Sequence, residues 1–305
     1  MTTTTTTFER KTRRQLVGWN EIVFSDDTTR TSSLVDADTE TIQAVAQRIQ
    51  KGESLLLLEP IVTTTTTNVD DNKALSHLFS SSSSTNPEED RLALIRDCLV
   101  FADTTEPSDF ETAGRRRLPT VEAASRAAGS CDVTPLPDDL DERVQAILVR
   151  IFDILDTQCP VLVQTLFRKD DNDDESTANK TISLRALLDD EELEFASREP
   201  AINIYRDGGD FEAHEDDQTL TVLVSLSQPD DEYTGGGTAF WSHAASRSRN
   251  LSSSSGDNKA LPPTLVVRPP AATVLLFGGT VTHAARPVLS GCRVVFVASF
   301  SRRWE

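Results

Sequence analysis

The sequence predicts an α+β protein in which helices come first and a β-sandwich or barrel follows. Two observations carry that expectation. Leu140, Val144, Ile147, Leu148, Ile151, Phe152 and Leu155 recur at three- and four-residue intervals behind Asp138 and Asp139. That is the pattern of an amphipathic helix with acids at its positive end. After Pro200 the texture changes to short segments rich in Val, Ile, Leu and Thr, at 201–205, 220–226, 273–277 and 293–300, each bounded by Gly, Pro, Asp or Ser. Several such segments in about a hundred residues make a sandwich or a barrel.

Composition divides the 305-residue chain into three stretches. Residues 1–87 form a low-complexity, partly disordered N-terminal region. Its Thr runs at 2–7 and 63–67 and its Ser run at 80–84 bury too little apolar surface to order themselves. Inside it, Ile42, Val45 and Ile49 predict a helix over 41–50, closed by Gly52. The apolar run 55–58 is a strand or a buried helix end, too short for its period to decide. Residues 88–199 read as a mainly helical support region, with a second helix over 184–193. The acidic run Asp170 to Glu175 is not a calcium loop, because Glu175 stands where the turn glycine belongs and Thr181 where the bidentate glutamate belongs. Residues 200–305 are the β-rich stretch, interrupted by a Ser-, Gly- and Pro-rich loop at 251–263.

Charge and cysteine usage exclude several classes. With 30 Lys and Arg against 49 Asp and Glu, the net charge of −19 offers no positive footprint for nucleic acid. Neutral or basic partners are easier to accommodate. No stretch approaches the ~18 apolar residues of a membrane span. The start, Met1 followed by six Thr, lacks the apolar run of a secretory signal, and Arg10, Lys11, Arg13 and Arg14 fit either a polar tail or a weak organelle transit segment. Four cysteines without C-x-x-C spacing fit neither a zinc ribbon nor a disulfide scaffold. The expectation is a soluble protein of the cytoplasm or another reducing intracellular compartment.

The chemistry gathers around His214, Asp216 and His283. Residues i and i+2 of a strand point the same way, so His214 and Asp216 project together while Glu215 turns aside. A distal histidine, His283, follows the 273–277 strand after the Gly278-Gly279 turn. Two histidines and one carboxylate can bind Fe(II) on one face and leave the other open, although an H-x-D pair alone suits several metals. Restrictive spacing adds weight: Tyr205, Gly208, Phe211 and His214 lie three apart, Gly235 to Gly237 form a tight turn ahead of 238–241, and Pro287, Gly291 and Arg293 follow His283. Arg293 opens an otherwise apolar strand, which is costly unless an anion compensates it, and a guanidinium pairs a carboxylate bidentately. Phe240 and Trp241 are candidates for the substrate mouth or the core. His77 and His243 read as surface residues.

The pattern Y-x-x-G-x-x-F-x-x-H-x-D, then G-G-G-T-x-F, then L-L-F-x-x-x-x-x-H and P-V-x-x-G-x-R resembles the catalytic domain of the prolyl 4-hydroxylase-like Fe(II)/2-oxoglutarate dioxygenases. It covers residues 199–301, about a third of the chain. The resemblance implies a double-stranded β-helix, or jelly roll, buttressed by N-terminal helices. It makes His214, Asp216 and His283 the iron ligands and Arg293 the partner of the distal carboxylate of 2-oxoglutarate. It faces the Tyr205 hydroxyl toward the co-substrate pocket. Thr221 and Ser225, which share one face of the following strand, are candidates to offer hydroxyls to the same carboxylate. The implied reaction consumes O₂ and 2-oxoglutarate, releases succinate and CO₂, and hydroxylates an unactivated C–H bond, with ascorbate as a reductant. A prolyl residue of a protein is the family's default substrate, and a small molecule is the other option. Arg293 stands where the collagen-type branch carries Lys, which separates this chain from that branch. Two other classes share such strands. A catalytically silent β-helix serving as an interaction module would not need the triad and Arg293 together. A cupin-type metal protein would offer more histidines and need no co-substrate anchor.

Overall fold

The computed structural model describes residues 18–24, 29–59, 78–79, 86–107, 111, 114–127, 133–168, 181–242 and 262–303. The Thr and Ser runs, the Arg10 to Arg14 stretch, the acidic run from Asp170, His77, His243 and most of the 251–263 loop lie outside the described residues.

In chain order, β1 (Trp19–Phe24) and β2 (Thr29–Ser33) precede α1 (Thr39–Gln50) and β3 (Ser54–Leu58). The helical middle holds α2 (Pro87–Thr104), β4 (Arg115–Pro119), α3 (Val121–Ala127), α4 (Asp138–Gln158), α5 (Pro160–Phe167) and α6 (Leu184–Asp189). Next come β5 (Leu193–Phe195), β6 (Ala201–Tyr205), β7 (Phe211–His214), β8 (Leu220–Ser225), β9 (Tyr233–Gly235) and β10 (Thr238–Phe240). The chain closes with β11 (Leu265–Val267), β12 (Val274–Phe277), β13 (His283–Ala285), β14 (Val288–Gly291) and β15 (Arg293–Arg302).

The helices form for the reasons their sequences give. In α4, Asp138, Asp139 and Asp141 occupy the first turn, and the stripe from Leu140 to Leu155 is buried. In α1, the Asp38 side chain accepts a hydrogen bond from the Thr41 N–H at 2.8 Å, and Gly52, at φ +69°, turns the chain away in a conformation that suits glycine. The helix read over 184–193 is shorter than expected, because the chain leaves α6 and enters β5 at Leu193.

Nine strands build a large sheet in the order β2-β1-β3-β12-β8-β15-β6-β4, with β5 pairing β15. A four-stranded sheet, β11-β10-β13-β7, faces it, and β14-β9 form a small ribbon. Apart from the β9-β14 ribbon and β11, which follows β10 in the small sheet, strands from β6 on alternate between the sheets: β6 large, β7 small, β8 large, β10 small, β12 large, β13 small, β15 large. This antiparallel winding is the jelly roll, and the helices lie on the outer face of its large sheet.

Two cores follow from that layering. Ile202, Val222, Leu276, Phe296 and Phe300 pack outward against the helices, whereas Tyr205, Leu223, Phe277, Val295 and Val297 pack inward between the sheets. A strand buried on both faces reads as an unbroken apolar run. Leu55 to Leu58 is such a strand, with Leu56 and Leu58 in the outer core and Leu55 and Leu57 in the inner one. The division at residues 87 and 199 is therefore one of composition, since β1, β3, β4 and β6 share a single sheet. Among the described residues, no helix is long and apolar enough to cross a membrane.

Candidate metal centre

Strand β7 ends at His214, and His283 opens β13 directly opposite it in the register. His283 thus sits on a short strand of its own, where the sequence suggested a turn. Asp216 lies two residues beyond the end of β7 instead of on it. It is fixed there by its backbone, whose N–H donates to the Gly279 carbonyl at 2.9 Å, as the Asp217 N–H does at 3.1 Å. The loop leading to β13 and the exit from β7 are thereby tied together.

The three side chains converge. His214 Nε2 is 3.3 Å from Asp216 Oδ1, His283 Nε2 is 3.6 Å from Asp216 Oδ2, and the two imidazole rings are 4.3 Å apart. One donor atom from each lies within 4.8 Å of the others. Both imidazoles turn Nδ1 to a backbone carbonyl, His214 to Glu212 at 2.8 Å and His283 to Val281 at 3.1 Å. Donation from Nδ1–H leaves the Nε2 lone pair facing the centre, as a metal-ligating histidine requires. Thr221 donates to Asp216 Oδ2 at 2.6 Å and lies 3.1 Å from the Ser299 hydroxyl. Burial alone would raise the Asp216 carboxyl, but the His214 and His283 imidazoles and the Thr221 hydroxyl beside it bring its pKa down to about 2. Burial holds the His283 pKa at about 4. The buried pair is therefore a carboxylate and a neutral imidazole at pH 7, the forms that bind a metal. Two imidazole nitrogens and one carboxylate on one side fit a non-haem Fe(II) site with open positions opposite.

Deeper between the sheets stands Arg293, 4% exposed. Its Nη2 donates to Thr238 Oγ1 at 2.9 Å, and its guanidinium carbon is 5.4 Å from the Tyr205 ring centre. No carboxylate of the described residues lies within ion-pair reach of it. An uncompensated guanidinium in such a place is costly, so the arrangement favours an anionic ligand. Gly236, at φ +62°, makes room: a Cβ there would meet Arg293 Cδ at 3.3 Å and Tyr233 Cε2 at 3.0 Å. Asn203 adds a buried Oδ1 without a hydrogen-bond partner to the same cavity. Tyr205, Thr238, Arg293 and the triad all line it, so the donor set fits both Fe(II) and a dicarboxylate co-substrate.

Other expected residues take different places. Thr221 lines the cavity, but its hydroxyl is engaged by Asp216. Ser225 is not brought into the group, because it donates to the Ser227 carbonyl at 3.1 Å where the chain leaves β8. Phe240 is core: its ring lies 5.2 Å from Phe277 and 6.2 Å from His283, and the Phe277 ring is 4.7 Å from His283. Trp241 is buried with Ala239 and Ala284. Thr238 and Asn203 were missed as site residues. Their signals were present in G-G-G-T and in the i−2 relation of Asn203 to Tyr205, which puts both on one face.

The described residues thus form a jelly roll with an HxD…H cluster between its sheets, the arrangement that the sequence resemblance implies. The sequence matches no protein-family model and no curated protein. Among solved structures, the chain is similar to a 2OG-Fe(II) oxygenase-family oxidoreductase from Burkholderia pseudomallei, at 15% identity over 88% of this chain and 92% of that one, TM-score 0.41. HygX from Streptomyces hygroscopicus, with nickel and 2-oxoglutarate bound, aligns at 12% identity over 84% and 85%, TM-score 0.44. A Pseudomonas putida prolyl-4-hydroxylase aligns at 13% over 86% and 100%, TM-score 0.39. Identities this low say nothing about substrate.

Proposed function

We propose that the protein is an Fe(II)- and 2-oxoglutarate-dependent oxygenase that hydroxylates an unactivated C–H bond. The observation that carries this reading is Arg293: a buried guanidinium, without a carboxylate partner among the described residues, lines the same cavity as a metal-ready triad. A cupin-type metal site has no use for that charge.

Fe(II), held there, would supply the redox centre at which O₂ and 2-oxoglutarate are consumed to give succinate and CO₂. The chain's own residues do the positioning. His214, Asp216 and His283 hold the metal on one side. Thr221 restrains one Asp216 oxygen and so fixes the direction of the carboxylate. Arg293, braced by Thr238, would take the distal carboxylate through its planar donors. Phe240, Phe277, Leu223 and Val295 form an apolar surround that excludes water and strengthens each charge interaction inside it. The Arg293 charge is permanent, so co-substrate binding needs no proton transfer.

The test is anaerobic titration with Fe(II) and 2-oxoglutarate, followed by succinate assay with ascorbate present. Prolyl peptides and small metabolites both belong in the panel, since a protein prolyl residue and a small molecule are the two substrate classes proposed here. Fe(II)-dependent succinate formation is expected. Arg293→Gln should raise the KM for 2-oxoglutarate roughly 10- to 100-fold, the equivalent of about 1.5–3 kcal/mol for hydrogen bonds to a charged group. Turnover that needs neither Fe(II) nor 2-oxoglutarate would sink the assignment.

A further inference from the structure

Strand β4 opens with three consecutive arginines that differ in their partners. Arg116 meets Glu111 at 2.8 Å, and Arg117 is bonded to the buried Glu199. Arg115 has no carboxylate within ion-pair reach among the described residues, although it is only 6% exposed. Its Nε has no hydrogen-bond partner. Its guanidinium carbon lies 3.6 Å above the Phe211 ring centre, so the flat face is covered, and the donor edge meets the Tyr205 hydroxyl but no carboxylate among the described residues. Burial lowers its pKa, and Tyr205 opposes that shift most.

The position of this second uncompensated arginine matters. Arg115, Tyr205 and Arg293 are partners on one rung across β4, β6 and β15, so their side chains leave the sheet on the same face. Arg115 opens into a separate cavity of about 270 Å³, with Ser197 on its wall. Phe211 and Arg117 line both this cavity and the one that encloses the triad. The Phe211 ring is 4.4 Å from the His214 imidazole, so a single phenyl separates the Arg115 guanidinium from a metal ligand. Glu111, on the wall of this cavity, and Glu199, on the wall of the triad cavity, are engaged by Arg116 and Arg117, which leaves a local positive surplus in a chain of net charge −19.

We infer that Arg115 is a substrate-recognition residue that binds a carboxylate of the molecule to be oxidised and seats its C–H bond beyond Phe211, at the metal. Calling the ligand a substrate rests on the oxygenase reading; the carboxylate site itself does not. The inference reverses the preference for neutral or basic partners that net charge suggests, because a buried local charge outweighs a solvated and screened surface charge.

Binding is measured on the full chain carrying Arg293→Gln, so that of these two guanidinium groups only that of Arg115 remains. The probes are hexanoate against hexanamide, for a free acid, and blocked glutamate against blocked glutamine, for an acidic side chain in a peptide. Saturation-transfer NMR should show at least one carboxylate binding about tenfold or more tighter than its amide, as a charge-assisted pair requires. Which acid binds tells a small molecule from a peptide. Adding Arg115→Gln should abolish the preference. A measurement on the chain that retains Arg115 guards against misfolding of that variant: the Arg115 Nε–H resonance, assigned by its loss in Arg115→Lys, should move with the acid and not with the amide. The inference is overturned if neither acid is preferred, if the preference survives Arg115→Gln, or if that resonance stays still. Failure of the oxygenase reading is seen elsewhere, as absent Fe(II)-dependent succinate formation, and leaves this outcome untouched.

Discussion

The large and the small sheet face each other across the site but are held by different means. The central strands of the large sheet, β3, β12, β8, β15 and β6, are buried on both sides. In β15, Val294, Phe296, Ala298 and Phe300 pack on the helices while Val295 and Val297 face inward. Strands of the small sheet run to three or four residues, and β7 is half exposed along its length. Yet the small sheet carries His214 and His283, and the large one supplies Arg293, Tyr205 and Thr221 from its inner face. The difference teaches a division of labour. Shape is set by one doubly covered sheet, which frees the other to hold side chains chosen for chemistry, and the site is the seam between them.

That division can be broken by experiment. Asp216→Ala should abolish Fe(II) retention and lower succinate formation by about a thousandfold or more, the scale of losing a catalytic group. Phe300→Ala should act on the fold instead. Its ring is fully buried and lies 5.0 Å from Phe152, 5.6 Å from Phe195 and 5.7 Å from Phe167. Removing it should cost about 3–5 kcal/mol in urea unfolding, with Fe(II) affinity of the folded protein unchanged. If Asp216→Ala destabilised the metal-free chain as much as Phe300→Ala does, the division would fail. Thr221→Val sharpens it: the hydroxyl belongs to the large sheet but serves a ligand near the small one. Its loss should weaken Fe(II) binding about 10- to 100-fold, the usual worth of such a supporting bond, as read by metal competition.

Sequence made the site more legible than the fold around it. His214, Asp216, His283 and Arg293 were readable because their spacing fits the pattern that carries the family resemblance, and α4 because twenty-one residues repeat its period several times. The geometry beneath was not. His283 lies on a three-residue strand, too short for any alternation, and Asp216 is held by a backbone bond to Gly279 that no side-chain pattern records. The N-terminal strands were hidden by composition. β2 reads Thr-Arg-Thr-Ser-Ser, a polar edge strand whose pairing is all backbone. β4 reads Arg-Arg-Arg-Leu-Pro, which looks like a solvated charge run until its neighbours in the sheet are known. Ser225 could not have been excluded, because the carbonyl that takes its hydroxyl is presented only by the bend at Ser227.

The seam also carries a dependence on pH that the helix-backed sheet lacks, and it is the smallest of these effects. Burial holds the His283 pKa at about 4 in the folded chain, against 6.5 for an exposed imidazole. Between those values the unfolded chain binds more protons than the folded one, so stability rises with pH there. The contribution of neutral His283 is therefore fully present above pH 6.5 and is lost as pH falls toward 4. Asp216, at about 2 against 3.8, adds a further loss only below pH 3.8. The urea midpoint of the metal-free protein should thus fall between pH 7 and pH 5, and His283→Gln, which cannot take up that proton, should flatten the decline. Phe300→Ala should lower the midpoint equally at both pH values, since nothing in its aromatic cluster titrates. A His283→Gln protein with an unchanged slope would place the acid sensitivity outside the seam and dissolve the contrast between the two sheets on this point.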